Sequence, residues 1–289
     1  MQSSEISDPA LFRSIAQNAH SHSPTSTYYE QTAELIRNDV IGLRASMETQ
    51  QPFTLGEVGA ISLPFVDFGS VDSLDLLGLD ELILFAFYWA NVKRYGKVTD
   101  IGANIGLHSV VLGKLGYQVD SYEPDPVTFE TLKANISLNS LTNVSAHQAA
   151  VSDKGGSAEF VRVLGNTTSS HLSGSKSTAY GDLETIEVET VGVEAAVVEA
   201  NLLKIDAEGH EASIISAIPL DRWGKLDAVV EVGSAENASL IWDRFEDVPS
   251  VSLRSQLRNW ELAKSLDDLP TSYRGGSVFI TSGSSMYWG

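Results

Sequence analysis

The sequence predicts an α/β fold: a doubly wound, mostly parallel sheet with an N-terminal helical extension. From Lys97 onward, short apolar runs typical of buried strands alternate with segments whose apolar residues recur at helical spacing. The first strand, Val98–Ile101, leads through a glycine-containing turn into a helix, an arrangement that places ligands at the carboxyl ends of parallel strands. The preceding sequence is mainly helix-prone. We therefore divide the chain into an extension, residues 1–95, and a main domain, residues 96–289.

The extension carries three predicted helices and a short β segment. Apolar residues recur at helical spacing over residues 10–19, 28–47 and 79–92, and residues 56–65 are typical of one or two strands. The last of these helices is strongly apolar, and Gly96 is placed to end it. We expect the extension to pack on the main domain as an accessory cap. A lid over the active site is the alternative, as is a dimer arm, which would make the protein a homo-oligomer.

The main domain continues as an ordered series of strands and helices. In chain order the predicted strands are residues 98–101, 118–122, 144–151, 157–164, 185–191, 201–206, 226–232, 251–254 and 278–281. The predicted helices begin at Gly106, Pro126, Gly209 and Glu236. Residues 157–164 are expected to form a β-hairpin arm, and a loop rich in Ser, Gly and Thr covers residues 165–181.

The composition excludes several classes of function. The net charge is −19 and no basic cluster offsets it, which argues against binding to nucleic acid or to an anionic membrane surface. The chain has no cysteine, so disulfides, thiolate metal sites and a cysteine nucleophile are excluded. The N-terminus lacks a signal-peptide pattern, and the longest apolar run, Leu82–Ala90, is too short to span a bilayer. We therefore expect a cytoplasmic protein.

The turn after the first strand and the end of the second strand predict a site for a cofactor that carries a nucleoside. Gly102 and Gly106 permit close backbone approach at a helix N-terminus, which favours ligand oxygens or a carboxylate. The second strand ends in Glu123, whose carboxylate can accept hydrogen bonds from both hydroxyls of a ribose. A solvated strand end is the alternative interpretation of Glu123.

The turn differs from that of dinucleotide-binding domains. Its pattern is Gly102-x-Asn104-x-Gly106, not G-x-G-x-x-G, and the first strand ends in Asp100. A carboxylate at this position would repel a pyrophosphate but attract the α-ammonium group of an amino acid. The alternative is that Asp100 accepts hydrogen bonds from turn amides. An NAD-dependent or nucleotide-sugar oxidoreductase is the less favoured enzyme, since the Tyr-x-x-x-Lys pair is also absent.

Five motifs follow one another along the main domain. They are Asp100–Gly106 (DIGANIG), Glu123–Pro126 (EPDP), Asn135–Asn139, Ala150–Asp153 and Leu203–Glu211 (LKIDAEGHE). With these motifs, the region from Val98 to about Ser216 resembles the FkbM family of S-adenosylmethionine-dependent methyltransferases. The resemblance implies a class I methyltransferase fold with a seven-stranded, Rossmann-like sheet. It also implies S-adenosylmethionine as cofactor and methyl transfer to a hydroxyl of a small molecule, sugar, glycan or polyketide.

The resemblance further implies which residues hold the cofactor. The predicted cofactor-binding residues are Asp100, Gly102, Ala103, Asn104, Gly106, Glu123, Pro124, Ser152, Asp153 and Asp206. Ser152 and Asp153 would bond the adenine amino group, or they simply open a turn over residues 153–156. Asn104 is expected to shape the turn and to face the methionine portion of the cofactor.

The strand that contains Lys204 and Asp206 predicts the catalytic chemistry. Residues two apart on a strand share a face. In the class I fold that the resemblance implies, Asp206 lies at the strand end, beside the first strand. Asp206 is therefore the candidate general base or orienting group for the acceptor hydroxyl, with help from Glu208 or His210. The alternatives are structural: Lys204 pairs with a nearby carboxylate, Glu208 and Glu211 complement a helix dipole, and His210 lies at the surface.

Two further sets of residues have alternative interpretations. Asp206 and Glu231 end neighbouring strands and could hold a divalent cation. We favour a metal-free site in which hydrogen bonds keep the two acids apart. His108 is expected to pack or cap, and His171 is a candidate for substrate contact unless its loop is merely mobile and hydrophilic.

A non-catalytic partner protein with a methyltransferase fold remains as an alternative function, although acids retained at the strand ends count against it.

Overall fold

The structure, a computed structural model, describes residues 5–164, 166–176 and 181–289. The described part of the extension contains α1 (Leu11–Gln17), α2 (Thr27–Ile41), α3 (Arg44–Glu48), β1 (Phe53–Leu55), β2 (Gly59–Ile61) and α4 (Leu79–Asn91). Two predictions in this segment need correction. The helix predicted over residues 28–47 is divided into α2 and α3, because the chain turns at Gly42. The β segment predicted over residues 56–65 is a hairpin that begins earlier, at Phe53.

Helix α4 joins the extension to the main domain. It is apolar on almost every side, and nine of its 13 residues are buried, as in a helix enclosed by other elements. Asp80 and Glu81 lie in its first turn, where carboxylates complement the helix dipole. Phe85 packs edge-on against Phe12 of α1 and against His108 of the main domain. One hydrophobic cluster therefore runs from the extension into the main domain. Among the described residues, no helix is long and apolar enough to cross a membrane.

The main domain alternates strands and helices as predicted. Its strands are β3 (Lys97–Ile101), β4 (Gln118–Tyr122), β5 (Val144–His147), β6 (Ala150–Ser152), β7 (Gly156–Leu164), β8 (His171–Leu172), β9 (Asp182–Gly192), β10 (Leu202–Ile205), β11 (Asp227–Glu231), β12 (Ser252–Ser255), β13 (Glu261–Leu262) and β14 (Ser277–Thr281). Its α-helices are α5 (Leu107–Leu115), α6 (Pro126–Leu138), α7 (Val193–Ala196), α8 (Glu211–Ala217) and α9 (Ala235–Phe245).

The large sheet has the order β13-β12-β14-β11-β10-β3-β4-β5. β3 pairs in parallel with both β4 and β10, while β14 runs antiparallel between β11 and β12. The sheet has eight strands where seven were expected, because the two-residue strand β13 extends one edge. Such a strand is too short to show a periodic pattern in the sequence. The sheet is mostly parallel, and β3 and β10 lie next to each other near its centre.

The two faces of the large sheet pack against different helices. Alternate residues of β11 illustrate this: Val229 belongs to the cluster with α4 and α5, and Val230 to the cluster with α8 and α9. By the same period of two, Lys204 shares the α4 and α5 face with Leu202. The charged residues at the carboxyl ends of β3 and β10 therefore lie near the first turns of α4 and α5.

The prediction of one continuous strand over residues 144–151 is wrong. It divides at Gln148 into β5, in the large sheet, and β6, in a second sheet with the order β6-β9-β7-β8. The predicted hairpin arm is confirmed, since β7 pairs antiparallel with β9 from Gly156 opposite Thr190 to Leu164 opposite Asp182. Of the predicted loop over residues 165–181, residues 165 and 177–180 lie outside the described residues.

Candidate active site

The turn after β3 packs directly against the chain that follows β10. Gly102 has φ +72°, and a Cβ atom there would lie 1.8 Å from the backbone oxygen of Asp206. Gly106 has φ +85°, and a Cβ atom there would lie 2.4 Å from Leu132 of α6. Any larger residue would overlap its neighbour and strain the backbone. The close backbone approach predicted at this turn is therefore present. The turn contacts helix α6 and the loop after β10 that contains Asp206, here called the Asp206 loop.

The amide groups of this turn bind oxygens of the protein. Gly102 and Ala103 donate their N–H groups to the carbonyl of Tyr122, at 3.1 and 2.9 Å. Asn104, at φ +52°, donates its N–H to Glu123 Oε2 at 2.9 Å, and its side-chain oxygen accepts the N–H of the next residue. A pyrophosphate site requires such amides to be free. The geometry therefore disfavours the dinucleotide-binding alternative.

Glu123 is a buried carboxylate held by the backbone. It is 7% exposed, Oε2 accepts from the N–H of Asn104, and Oε1 accepts from the N–H of Asp125 at 2.9 Å. Burial raises the pKa of the Glu123 carboxyl to about 7. The solvated strand end considered as an alternative is therefore not what the structure contains. Each oxygen has one protein partner and keeps capacity for a second hydrogen bond.

The residues after Glu123 begin α6 and anchor the second sheet. Asp125 caps the helix, since its Oδ1 accepts from the N–H groups of Val127 and Thr128. Its Oδ2 accepts from Arg162 of β7 at 2.5 Å. Pro124, which lies between Glu123 and Asp125, lines a cavity of about 320 Å³ together with residues 186–189 of β9. The predicted cofactor contact of Pro124 stays a prediction.

Asp100 pairs with a lysine of the protein. It is fully buried, Oδ2 accepts from the hydroxyl of Ser109 at 2.6 Å, and Oδ1 lies 3.6 Å from Lys204 Nζ. The structure thus places a protein ammonium group where the sequence predicted a ligand ammonium group. It also differs from the alternative, since Asp100 accepts from a serine hydroxyl and not from turn amides. The pairing of Lys204 with a carboxylate, one of the alternatives, is confirmed.

Lys204 joins three parts of the site. Its Nζ donates to the carbonyl of Gly102 at 2.9 Å and lies 3.5 Å from Asp206 Oδ2, in addition to its contact with Asp100. Burial opposes the charge of Lys204, but the carboxylates of Asp206 and Asp100 raise its pKa above the ordinary value. Lys204 and Asp206 share a face of the sheet as predicted. With 31% of its side chain exposed, Asp206 is accessible whereas Asp100 is not.

The loop after Asp206 is closed by Glu211. This buried carboxylate accepts the N–H groups of Ala207 and Gly209, at 3.0 and 2.9 Å. Burial raises the pKa of Glu211 despite these bonds. The helix predicted from Gly209 begins at Glu211, because the preceding residues form this loop. Glu211 therefore fixes the backbone on which Glu208 and His210 stand.

Glu208 and His210 hold the segment 173–176 against this loop. Glu208, at φ +51°, pairs with Lys176, and burial raises the pKa of its carboxyl. His210 Nε2 lies 2.9 Å from the hydroxyl of Ser152 and Nδ1 lies 3.2 Å from that of Ser175. Burial lowers the pKa of His210. Both ring nitrogens of His210 are within hydrogen-bond distance of protein hydroxyls, so its predicted help in catalysis would require these contacts to open. Glu208 is paired with Lys176 through Oε2.

The remaining predicted contacts lie around the second sheet. Ser152 also donates to Asp153 Oδ1 at 3.1 Å, and Asp153, with 54% of its side chain exposed, lies 3.8 Å from Lys154 Nζ. The assignment of Ser152 and Asp153 to adenine stays a prediction. His171 is buried in β8, and its Nδ1 lies 2.9 Å from the carbonyl of Ser169.

Glu231, at the end of β11, lies beside the β10 terminus. β10 and β11 pair in parallel, so the predicted proximity of the ends that carry Asp206 and Glu231 is confirmed. Burial, and then the charge of Asp206, raise the pKa of Glu231 well above its ordinary value. Within the described ranges, no group of three or more His, Asp and Glu side chains is arranged to hold a metal ion.

Three residues of the site were missed by sequence reasoning or assigned a packing role. His108 of α5, expected to pack or cap, lies with Nε2 2.6 Å from Glu81 Oε2 and Nδ1 3.0 Å from the hydroxyl of Tyr88. Both partners come from α4. The only signal in the sequence was an acid at the start of a strongly apolar helix. Glu81 and His108 line a cavity of about 210 Å³ next to Lys204.

The chain is similar to one family of methyltransferase domains and to two proteins named as methyltransferases. A model of the methyltransferase FkbM domain matches residues 100–248. "Methyltransferase 1" of Beauveria bassiana (strain ARSEF 2860) is 26% identical over 155 residues, which cover 46% of this chain and 62% of that protein. "Methyltransferase sdnD" of Sordaria araneosa is 26% identical over 174 residues, covering 49% of this chain and 67% of that protein. The match thus spans less than two thirds of the Beauveria protein.

Solved structures also resemble the chain. The METTL16 methyltransferase domain is 13% identical, with a TM-score of 0.42 over 86% of this chain and 79% of that one. The human methyltransferase 10 domain containing protein is 12% identical, with a TM-score of 0.40 over 84% of this chain and 95% of that one.

Proposed function

The chain belongs to the FkbM methyltransferase domain family, and from that premise we propose that it transfers a methyl group from S-adenosylmethionine to a hydroxyl oxygen of a small molecule. The main domain has the class I methyltransferase fold, with its motifs at the carboxyl ends of β3, β4 and β10. Membership of this family supports methyltransferase activity. The activity, the cofactor, the oxygen acceptor and the roles of individual residues together form the proposal.

Glu123 is the observation that carries the choice of cofactor. Its carboxylate is oriented by two backbone N–H groups, and each oxygen can still accept one hydroxyl of a ribose. The nearby turn amides are occupied, which suits a cofactor without a pyrophosphate. Ser152 and Asp153, at the end of β6, are placed in the proposal beside adenine.

The amino-acid end of the cofactor is assigned to the surface formed by Gly102 and Asp206. Asp100 is buried behind Lys204, so we transfer the predicted contact with the α-ammonium group to the exposed carboxylate of Asp206. Ala103, Asn104 and Gly106 act by shaping the turn that holds Gly102 against the Asp206 loop.

S-adenosylmethionine, when bound, supplies an activated methyl group, so the protein must position the acceptor oxygen and receive its proton. Lys204 and Asp100 fix the position of the β3 turn relative to Asp206. The surface is strongly acidic overall, with a net charge of −19, which favours a neutral or cationic small molecule over nucleic acid. Sugars, glycans and polyketides remain the proposed acceptor classes.

Calorimetry with sinefungin and with NAD tests the proposal. We expect binding of sinefungin and none of NAD. Binding of NAD alone would support the oxidoreductase alternative, and absence of binding by both would support a non-catalytic partner protein. Turnover is then measured as release of S-adenosylhomocysteine with a panel of sugars and polyketides.

The role of Asp206 is tested by Asp206→Asn. If Asp206 binds the ammonium group, the variant should lose sinefungin affinity by about tenfold, the effect of losing one charged contact of ~1.5 kcal/mol. If Asp206 is instead the base predicted from the sequence, turnover should fall far more than affinity. Glu246→Gln, in an exposed position bonded to Trp242, is the matched control.

A further inference from the structure

A small cavity lies beside the proposed methyl-transfer site and is formed largely by residues outside the family-matched region. It has a volume of about 210 Å³, which is room for roughly seven water molecules or a small polar compound. Its lining residues are Asp75, Gly78, Asp80, Glu81, Leu84, His108, Lys204, Ile205, Val229, Glu231, Tyr273, Gly276 and Ser277. Lys204 connects this cavity to Gly102 and Asp206. Residues 75–84 and 273–277, which flank the family-matched region, therefore shape a chamber next to strands β10 and β11.

A chain of hydrogen bonds orients one carboxylate in the cavity. The hydroxyl of Tyr88 lies 3.0 Å from His108 Nδ1. His108 donates the N–H group of Nε2 to Glu81 Oε2 at 2.6 Å, because an ionised carboxylate can only accept. Within the described residues, no hydrogen bond is made to the other oxygen, Glu81 Oε1. That oxygen is available to a ligand.

The surroundings of Glu81 favour its ionised form. Burial alone would raise the pKa of Glu81, but the neighbouring His108 holds it below its ordinary value. A carboxylate of this kind suffices as a proton acceptor, because an attacking hydroxyl becomes strongly acidic while its oxygen forms a new bond to carbon.

The charges around the chamber select against anions. Asp75, Asp80 and Glu81 line it together, whereas the single lysine among its lining residues, Lys204, is already shared with Asp100 and Asp206. These side chains would repel the carboxylate of an anionic ligand, because water screens charges only weakly in a partly enclosed space. A hydroxyl compound without negative charge meets no such barrier.

On the basis of the proposed function, we propose that this chamber receives the methyl acceptor as a neutral or cationic hydroxyl compound and that Glu81 takes its proton. The acceptor oxygen forms a bond to the methyl carbon of the sulfonium donor. The carbon–sulfur bond breaks and its electron pair stays on sulfur, which becomes a neutral thioether. The hydroxyl proton passes to Glu81 Oε1. His108 and Tyr88 are positioning residues that hold Oε2.

Glu81→Gln tests the assignment of the base. With ethylene glycol as the acceptor probe, kcat should fall about 100-fold or more, as for loss of a general base, while the Kd of sinefungin changes less than about twofold. Glu48→Gln, an exposed glutamate paired with Arg44, is the control and should leave both quantities unchanged. A kcat within about threefold of the parent protein would overturn the assignment, as would a Glu81→Gln variant that loses sinefungin affinity in parallel.

Tyr88→Phe keeps the test decisive if Glu81→Gln does not fold. Loss of one hydrogen bond of about 1 kcal/mol should lower kcat about fivefold with little change in KM. An unchanged kcat in Tyr88→Phe would contradict the positioning role.

The charge preference is tested with probes of one size. Ethanolamine, ethylene glycol and glycolate are titrated into sinefungin-loaded protein, and the imidazole nitrogen resonances of His108 are followed by NMR. We expect shifts with ethanolamine and ethylene glycol and none with glycolate. A response to glycolate equal to the others would overturn the proposed substrate class. Sinefungin binding by the parent protein separates failure of this inference from failure of the proposed function.

Discussion

Gly102→Ala is expected to separate β3 from the loop after β10. The added Cβ would lie 1.8 Å from the backbone oxygen of Asp206, whereas ordinary contacts begin at 3.4 Å. The difference, 3.4 − 1.8, is a displacement of about 1.6 Å that the turn and the Asp206 loop must share. Lys204 Nζ donates to the carbonyl of Gly102 and lies near Asp206 Oδ2, so the Lys204 side chain would have to shift to keep both contacts.

Two costs add to give the expected loss of stability. An alanine at φ +72° costs about 1–2 kcal/mol of backbone strain, and overpacking of a close contact costs about 1–3 kcal/mol. The free energy of unfolding should therefore fall by about 2–5 kcal/mol. Because misplacement of a catalytic group by about 1 Å can lower turnover about 100-fold, kcat should fall by at least that factor.

Urea unfolding and methyl-transfer kinetics measure these two effects. Gly116→Ala is the matched control: Gly116 has φ +98°, but no atom lies within 4 Å of the position of its Cβ. It should lose only the strain energy, about 1–2 kcal/mol, and keep its kcat. If Gly102→Ala is no less stable than Gly116→Ala and turns over at the parent rate, the close approach does not position the site.

Three further predictions concern titration, charge and loop docking. Sinefungin affinity should rise about tenfold from pH 6 to pH 8 by calorimetry, because the Glu123 pKa is raised to about 7 and ribose hydroxyls bind its ionised form. Without ligand, the contribution of Glu123 to stability should fall as pH rises from about 4.5 to about 7, since the folded protein holds this proton more tightly. Lys204→Met should lower the free energy of unfolding by about 3–5 kcal/mol in urea, because it leaves the buried Asp100 without its cation. Glu208→Gln should make tryptic cleavage after Lys176 about two- to fivefold faster, as expected for a partly exposed ion pair of ~0.5–1 kcal/mol.

Each of these predictions has an internal control. The Glu123→Gln variant should bind sinefungin with no rise between pH 6 and pH 8; a flat profile in the parent protein would contradict the ribose assignment. Adding Asp100→Asn to Lys204→Met should restore part of the lost stability, and a further loss would show that the pair is not coupled. Cleavage after the exposed Lys154 serves as the reference rate for Lys176, and equal rates at Lys176 in both proteins would argue against the docking role of Glu208.

Features that depend on a few neighbouring residues were predictable from the sequence. The β3 strand, the α6 helix and the glycines at 102 and 106 were predictable because apolar periodicity and positive φ are properties of a few neighbouring residues. The shared face of Lys204 and Asp206 follows from the period of a strand. The division of residues 144–151 between two sheets was not predictable, since apolar residues occur on both sides of the break.

The sequence by itself determined the class of fold, the family, and the strand ends at which the acids lie, because these depend on periodicity and on short motifs. Only the tertiary structure decided the partner of each acid. Asp100 could have met a ligand cation, but packing of β10 beside β3 brings Lys204 to it. Glu81 and His108 are 27 residues apart and meet only because α4 packs on α5. Hydrogen bonds and ion pairs between distant segments depend on how elements pack, and that information is spread over the whole chain and absent from any one motif.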